Sequence, residues 1–183
     1  DPNHWTTNPA SPIGDGGCVP SLRDNVIFDN MSFSATSNGC GISGIAYCNN
    51  ISFLDDARLY QMNGLPSNTG QTEVTDRLYA NGSISLFNNM TNFDFRGSIH
   101  MIGNGGITTN GTVLEVYKLE FNNAIGTFDI LDDLVLSNDW TSVGSGRRVY
   151  GALHLTAGTL NTNDHNISIG SRFVSNNTNN RTF

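Results

Sequence analysis

Pairs of apolar residues separated by one other residue recur along the chain: Ile51/Phe53, Ile84/Leu86, Ile99/Met101, Leu119/Phe121, Leu134/Leu136, Leu153/Leu155 and Ile167/Ile169. A spacing of two turns both side chains to the same face of a strand. From Ile84 on, the first members lie 15, 20, 15, 19 and 14 residues apart. Short and long steps alternate, giving a compound period of 33–35 residues. Longer windows carry the same signal. Asn92–Met101, Thr127–Leu136 and Thr159–Ser168 each read as a short strand, a polar turn and a second strand. Short strands at this interval, with Asn and Gly between them, predict a coiled all-β architecture. The expected fold is a right-handed parallel β-helix (a β-solenoid), each coil stacked about 4.8 Å above the last. Its handedness is expected from strand twist. The alternative is an antiparallel β-sandwich, which also offers many short strands.

Around this pattern, Val26–Phe28 reads as a further strand. Residues 1–25 form an irregular cap, rich in Pro and Gly, that Trp5 packs onto the core. Residues 63–72 read as an exposed loop, and 174–183 as a loop or the start of another repeat. The expected organisation is one domain over 1–183, part of a longer chain.

Composition narrows the function classes. The chain has 183 residues, of which 14% are charged, with 25 Asn, 20 Gly and a single lysine, Lys118. The scarcity of good helix formers fits an all-strand protein. A net charge of -7 provides no basic footprint for nucleic acid. No apolar run approaches the roughly 18 residues of a membrane span. The cysteines are Cys18, Cys40 and Cys48, without CxxC or Cys/His clustering, so a structural zinc site is not expected. Two arrangements remain: one disulfide with a leftover thiol, as in an exported chain, or three reduced buried thiols. A Cys18–Cys48 bridge would contribute roughly 3–4 kcal/mol in the chain-entropy model. Cys40, between Gly39 and Gly41 in a loop-like stretch, is the expected odd one out.

Several strings together resemble a known module. Asp1-Pro2-Asn3-His4-Trp5, Gly16-Gly17-Cys18-Val19-Pro20 and Asp24-Asn25-Val26-Ile27-Phe28-Asp29 are similar to segments near the start of very large Bacteroidota surface proteins, including gliding-motility adhesin-like proteins. The likeness continues in Cys48–Phe53, Asn81–Leu86 and Gly151–Asn163. A Trp-Val-Gly-Gly strand usual upstream in that family is absent here. The resemblance implies a secreted, cell-surface protein exported by type IX secretion and engaged in attachment or gliding. It also implies pairing of Cys18 with Cys48. The expected partners are glycans or surface polymers, to which outward Asn, Thr, Ser and Asp faces offer hydrogen bonds, together with further repeats of the same chain and the secretion or motility machinery.

Candidate chemistry is sparse. Parallel β-helices also host polysaccharide lyases and hydrolases, which would draw on Asp55-Asp56, Asp132-Asp133 and Arg147-Arg148. Neighbours on a strand face opposite ways, so these doublets read first as turn and corner residues. His100 and His154 each sit between inward apolar residues and should face outward. If their rungs stack, they would share a face suited to a metal; His4 and His165 have no such setting. Asp129, Asp132, Asp133, Asn138 and Asp139 could offer oxygen ligands to calcium, although no calcium-binding motif is present. The resulting expectation is a non-enzymatic structural and adhesive module with no catalytic, cofactor or metal site. The alternatives are a carbohydrate-active β-helix enzyme and a passive cargo fragment.

Overall fold

A computed structural model of the chain describes residues 19–29, 32, 39–42, 44–54, 58–60, 76–88, 90, 93, 95, 97–137, 142–143, 146–147, 151–170 and 173–175. Sixteen strands and no helix occur among them. They are β1 (Val26–Phe28), β2 (Gly39–Gly41), β3 (Ile45–Cys48), β4 (Ile51–Phe53), β5 (Arg58–Tyr60), β6 (Arg77–Ala80), β7 (Ile84–Ser85) and β8 (Ser98–Met101). There follow β9 (Gly105–Thr108), β10 (Lys118–Ile130), β11 (Leu134–Val135), β12 (Ser142–Val143), β13 (Gly146–Arg147), β14 (Ala152–Asn161), β15 (Ile167–Ser168) and β16 (Phe173–Ser175).

Every ladder among the described residues is parallel except the β12–β13 hairpin. That register rules out an antiparallel sandwich for these strands. The ladders fall into three columns. The first column runs β3, β6, β8, the start of β10, the start of β14, then β16. The second runs β1, β4, β7, β9, then the end of β10 and of β14. The third joins Phe93, Leu114 and Leu136 by single bridges and continues as β11–β15. Separately, β2 pairs with β5.

The core lies inside these columns. In the second, Val26, Ile51, Ile84, Ile107 and Ile130 pair in succession, all buried. In the first, Leu78, Ile99, Leu119 and Leu153 do the same, with Ala80, Met101, Phe121 and Leu155 two residues on. Phe28 stacks on Phe53 at 5.0 Å, and Phe53 meets Phe93 edge-on at 5.9 Å. Phe121 and Phe128, from the two ends of β10, also meet at 4.9 Å, so the inward rows of the first two columns pack against each other as well as along each ladder.

The compound period holds for only part of the pattern, because Ile84 pairs with Ile107 and not Leu119, and Ile99 with Leu119 and not Leu134. Ile51 pairs with Ile84 and Leu134 with Ile167, each 33 residues on, and Leu119 pairs with Leu153, 34 residues on. The remaining coils are shorter. Ile99 to Leu119 is 20 residues, Phe93 to Leu114 is 21, and Ile84 to Ile107 is 23. The short steps in the pattern therefore move between columns within the winding, as from Leu119 in the first to Leu134 in the third. One window equivalence holds: Thr127–Leu136 lies on Thr159–Ser168, with Phe128 on Leu160 and Leu134 on Ile167. The other does not, because Phe93 bridges to Leu114 and Ile99 pairs with Leu119.

Val26–Phe28 is a strand, as its apolar run predicts. Cys40 lies in β2, paired with Leu59, rather than in a loop. Phe173–Ser175 adds a strand to β14, at the start of the segment read as a loop or further repeat. Trp5, most of the expected cap and the 63–72 loop lie outside the described residues.

Candidate functional site

The corners between columns consume much of the polar complement. Asn25 Oδ1 accepts from the Asn49 side chain (3.1 Å) and from the Asn50 backbone and side chain (3.3 and 2.8 Å). Asn50 Oδ1 accepts from Ser83 N at 2.6 Å, Ser83 Oγ from Gly106 N at 3.0 Å, and Asn104 Oδ1 from Thr127 N at 3.0 Å. Side chains of one coil thus satisfy backbone donors of the next, which helix or sheet ladders cannot reach at a corner. Gly103 is required in this stack: a Cβ there would lie 1.8 Å from Asn81 O.

The same logic places the acidic doublet. Asp132 accepts from Thr109 N at 2.8 and 2.9 Å, from Thr109 Oγ1, and from Asn110 N at very short range. Asp133 accepts from Asn166 N at 2.9 Å and faces His165 Nδ1 at 3.8 Å. Donation by the Asn166 backbone and side chain holds the Asp133 carboxyl below its ordinary range. Asp129 accepts from Asn161 and Asn163. The doublet sits in the bend between β10 and β11 and ties it to the preceding turn at Thr109 and the following one at Asn166, the corner role its sequence reading expected.

The outer face of the first column concentrates the remaining polar groups. Tyr47, Tyr79, His100, Glu120 and His154 pair rung on rung in one row. Tyr47 and Tyr79 stack at 5.4 Å, and Tyr79 and His100 at 4.6 Å, with ring planes within 22° and 19°. His100 Nδ1 lies 2.8 Å from Glu120 Oε2, which also takes Lys118 Nζ at 2.8 Å. Thr156 Oγ1 donates to Glu120 Oε1 at 2.6 Å. The hydrogen bond from His100, joined by those from Lys118 and Thr156, holds the Glu120 carboxyl far below its usual range despite its burial. His100 is 8% exposed and its Nε2 has no hydrogen-bond partner.

His100 and His154 do share a face, with Glu120 on the rung between them. Among the described residues no group of three or more His, Cys, Asp and Glu side chains is placed to hold a metal. Asp55, Asp56, Asn138, Asp139, Arg148 and His4 lie outside the described residues, as do the side chain of Arg147 and Cys18. Cys48 carries a free, buried thiol that donates weakly to Tyr79 O, and Cys40 is also a free thiol. Burial pushes both thiols up to about 12. No helix of the described residues is long and apolar enough to cross a membrane.

Tyr47, Tyr79 and Glu120 were not among the residues singled out from the sequence. The signal that located His100 applies to each of them. Tyr79 lies between inward Leu78 and Ala80, and Glu120 between inward Leu119 and Phe121. No protein-family profile matches this chain, and no curated protein or solved structure matches it.

Proposed function

We propose that the chain is a right-handed parallel β-helix module, one domain over 1–183 with an irregular cap, in a longer secreted bacterial surface protein, where its role is structural and adhesive. One observation carries this reading. Three columns of parallel strands stack a continuous apolar core, and Asn, Ser and Asp cross-link the coils at their corners. Such a stack resists bending because each coil is tied to the next by side chains as well as by ladders. Right-handedness is expected because parallel strands joined by crossovers are almost always so connected. The polar outer faces offer hydrogen bonds to glycans, and many weak contacts along a repeated rod gain strength through multivalency.

The use of Asp132 and Asp133 as corner acceptors supports this role over that of a carbohydrate-active enzyme, since both carboxylates are spent first on holding the fold together. The test incubates the purified chain with neutral and acidic polysaccharides, with and without calcium. Retention and new reducing or unsaturated ends are both scored. Retention without cleavage is the expected outcome. Cleavage would replace the adhesive reading with the enzymatic one. Neither signal would leave a rod whose partners are proteins of the secretion or motility machinery.

A further inference from the structure

The outer row of the first column sets two open phenols beside a buried imidazole nitrogen without a partner. Neither phenol of the Tyr47–Tyr79 stack has a hydrogen-bond partner among the described residues, and the next ring, His100, buries an unpartnered Nε2. Buried polar atoms normally find partners, so an orphan on the same row as two open hydroxyls is unusual. Beside them, Ile45 and Tyr47 are 53% and 43% exposed, an apolar shoulder on the outer side of β3. The next rung holds the opposite arrangement: Glu120 is saturated by His100, Lys118 and Thr156.

We infer that the row Tyr47–Tyr79–His100 is a binding subsite for a neutral, extended glycan lying along the stacking axis. This rests on the adhesive reading above and names the surface that would serve it. The chemistry fits on three counts. Sugar hydroxyls both donate and accept, as two phenols require. The apolar edges of the rings and Ile45 match the C–H faces of a pyranose. Charge argues for a neutral polymer, because the chain is net -7 and its one lysine is already engaged by Glu120. The rungs repeat at ring spacings of 5.4 and 4.6 Å, so a polymer with one sugar per rung would meet a ring at each of three successive rungs.

The test uses the full chain with hydroxyethylcellulose, laminarin and soluble starch as neutral probes and alginate as the acidic comparator. Tyr47→Phe and Tyr79→Phe keep the ring stack and remove only the hydroxyls, so circular dichroism and the unfolding midpoint should not move. Each is expected to weaken retention on a neutral probe about three- to tenfold, the range of one net hydrogen bond. The His100 imidazole resonance should shift when the probe is added. Retention by the wild type that survives both substitutions, with His100 unmoved, overturns the subsite and leaves the adhesive reading standing. Preference for alginate also overturns the subsite. Absence of retention on every polymer overturns both.

Discussion

Leu119 and Ile125 are aliphatic residues six apart on the same strand, β10, and the fold gives them opposite fates. Leu119 is fully buried between Ile99 and Leu153 in the first column. Ile125 is 93% exposed, where the ladder with β14 breaks register between Asn122 and Thr127. Leu119→Ala removes three carbons, about 0.8 kcal/mol each in lost transfer. A cavity term adds to this in a core that relaxes only partly, so the expected cost is roughly 2.5–5 kcal/mol. Ile125→Ala removes a similar volume that water already covers, and the expected change is within about 0.5 kcal/mol. Urea unfolding followed by tryptophan fluorescence and by circular dichroism measures both. The two probes are needed because a stack of coils need not unfold in one step. The comparison cancels differences in composition and strand, leaving only which way the side chain points. A difference between the variants below about 1 kcal/mol would refute the inward register of the first column.

Four further outcomes are expected. Gly103→Ala sets a Cβ 1.8 Å from Asn81 O, and should cost at least about 2 kcal/mol in urea unfolding because backbone must move. Asp132→Ala leaves the donors of Thr109 and Asn110 without their acceptor and should cost roughly 1–3 kcal/mol by the same measure, with no effect on any polysaccharide cleavage. Glu120 has a folded-state affinity for protons below its unfolded value, so its contribution is complete above the unfolded value near 4.5. That contribution is lost as pH falls from there toward the folded value, and Glu120→Gln should flatten this part of the stability–pH curve while costing roughly 3 kcal/mol at neutral pH. Cys48 should resist alkylation in the native chain and react after denaturation without reductant, read by peptide mass spectrometry. Failure to react until reductant is added would instead establish a disulfide at Cys48, and a linked Cys18 peptide would identify the bridge that the family resemblance implies.

The sequence pattern exposed the inward rows because burial demands apolar side chains at every second residue of each strand. The pairs led by Ile51, Ile84, Ile99, Leu119, Leu134 and Leu153 all begin with a buried residue. Coil length was less legible. A residue pair announces that it faces inward but not which column it belongs to, so Ile84 and Leu119, 35 residues apart, fitted the compound period although they occupy different columns. The corner network was half legible: Asn and Gly marked the turns, but which amide meets which backbone donor depends on stacking 23 to 33 residues away. The His100–Glu120–Lys118 group was hidden for the same reason. Glu120 and Lys118 are close to each other in sequence, while His100 is brought beside them only by the register of β8 on β10.

That dependence on register explains how one stack can be rigid inside and chemically varied outside. A side chain on an inward row meets its counterparts on the coils above and below, so every substitution there is judged by two neighbours as well as by its own strand. An outward row faces the same neighbours from the other side, and the first column shows three different solutions in succession: ring on ring at Tyr47 and Tyr79, ring against carboxylate at His100 and Glu120, and a lone lysine closing the group. None of these disturbs the Leu78, Ile99, Leu119 and Leu153 row behind it, because successive residues of a strand point to opposite faces. Surface chemistry in such a column can therefore change rung by rung at small cost to the core. Glu120 is the exception, since its ion pair with Lys118 and its hydrogen bonds with His100 and Thr156 bind the outer row to the fold. A substitution that altered ligand preference without loss of stability should accordingly fall at Tyr47 or Tyr79 and not at Glu120.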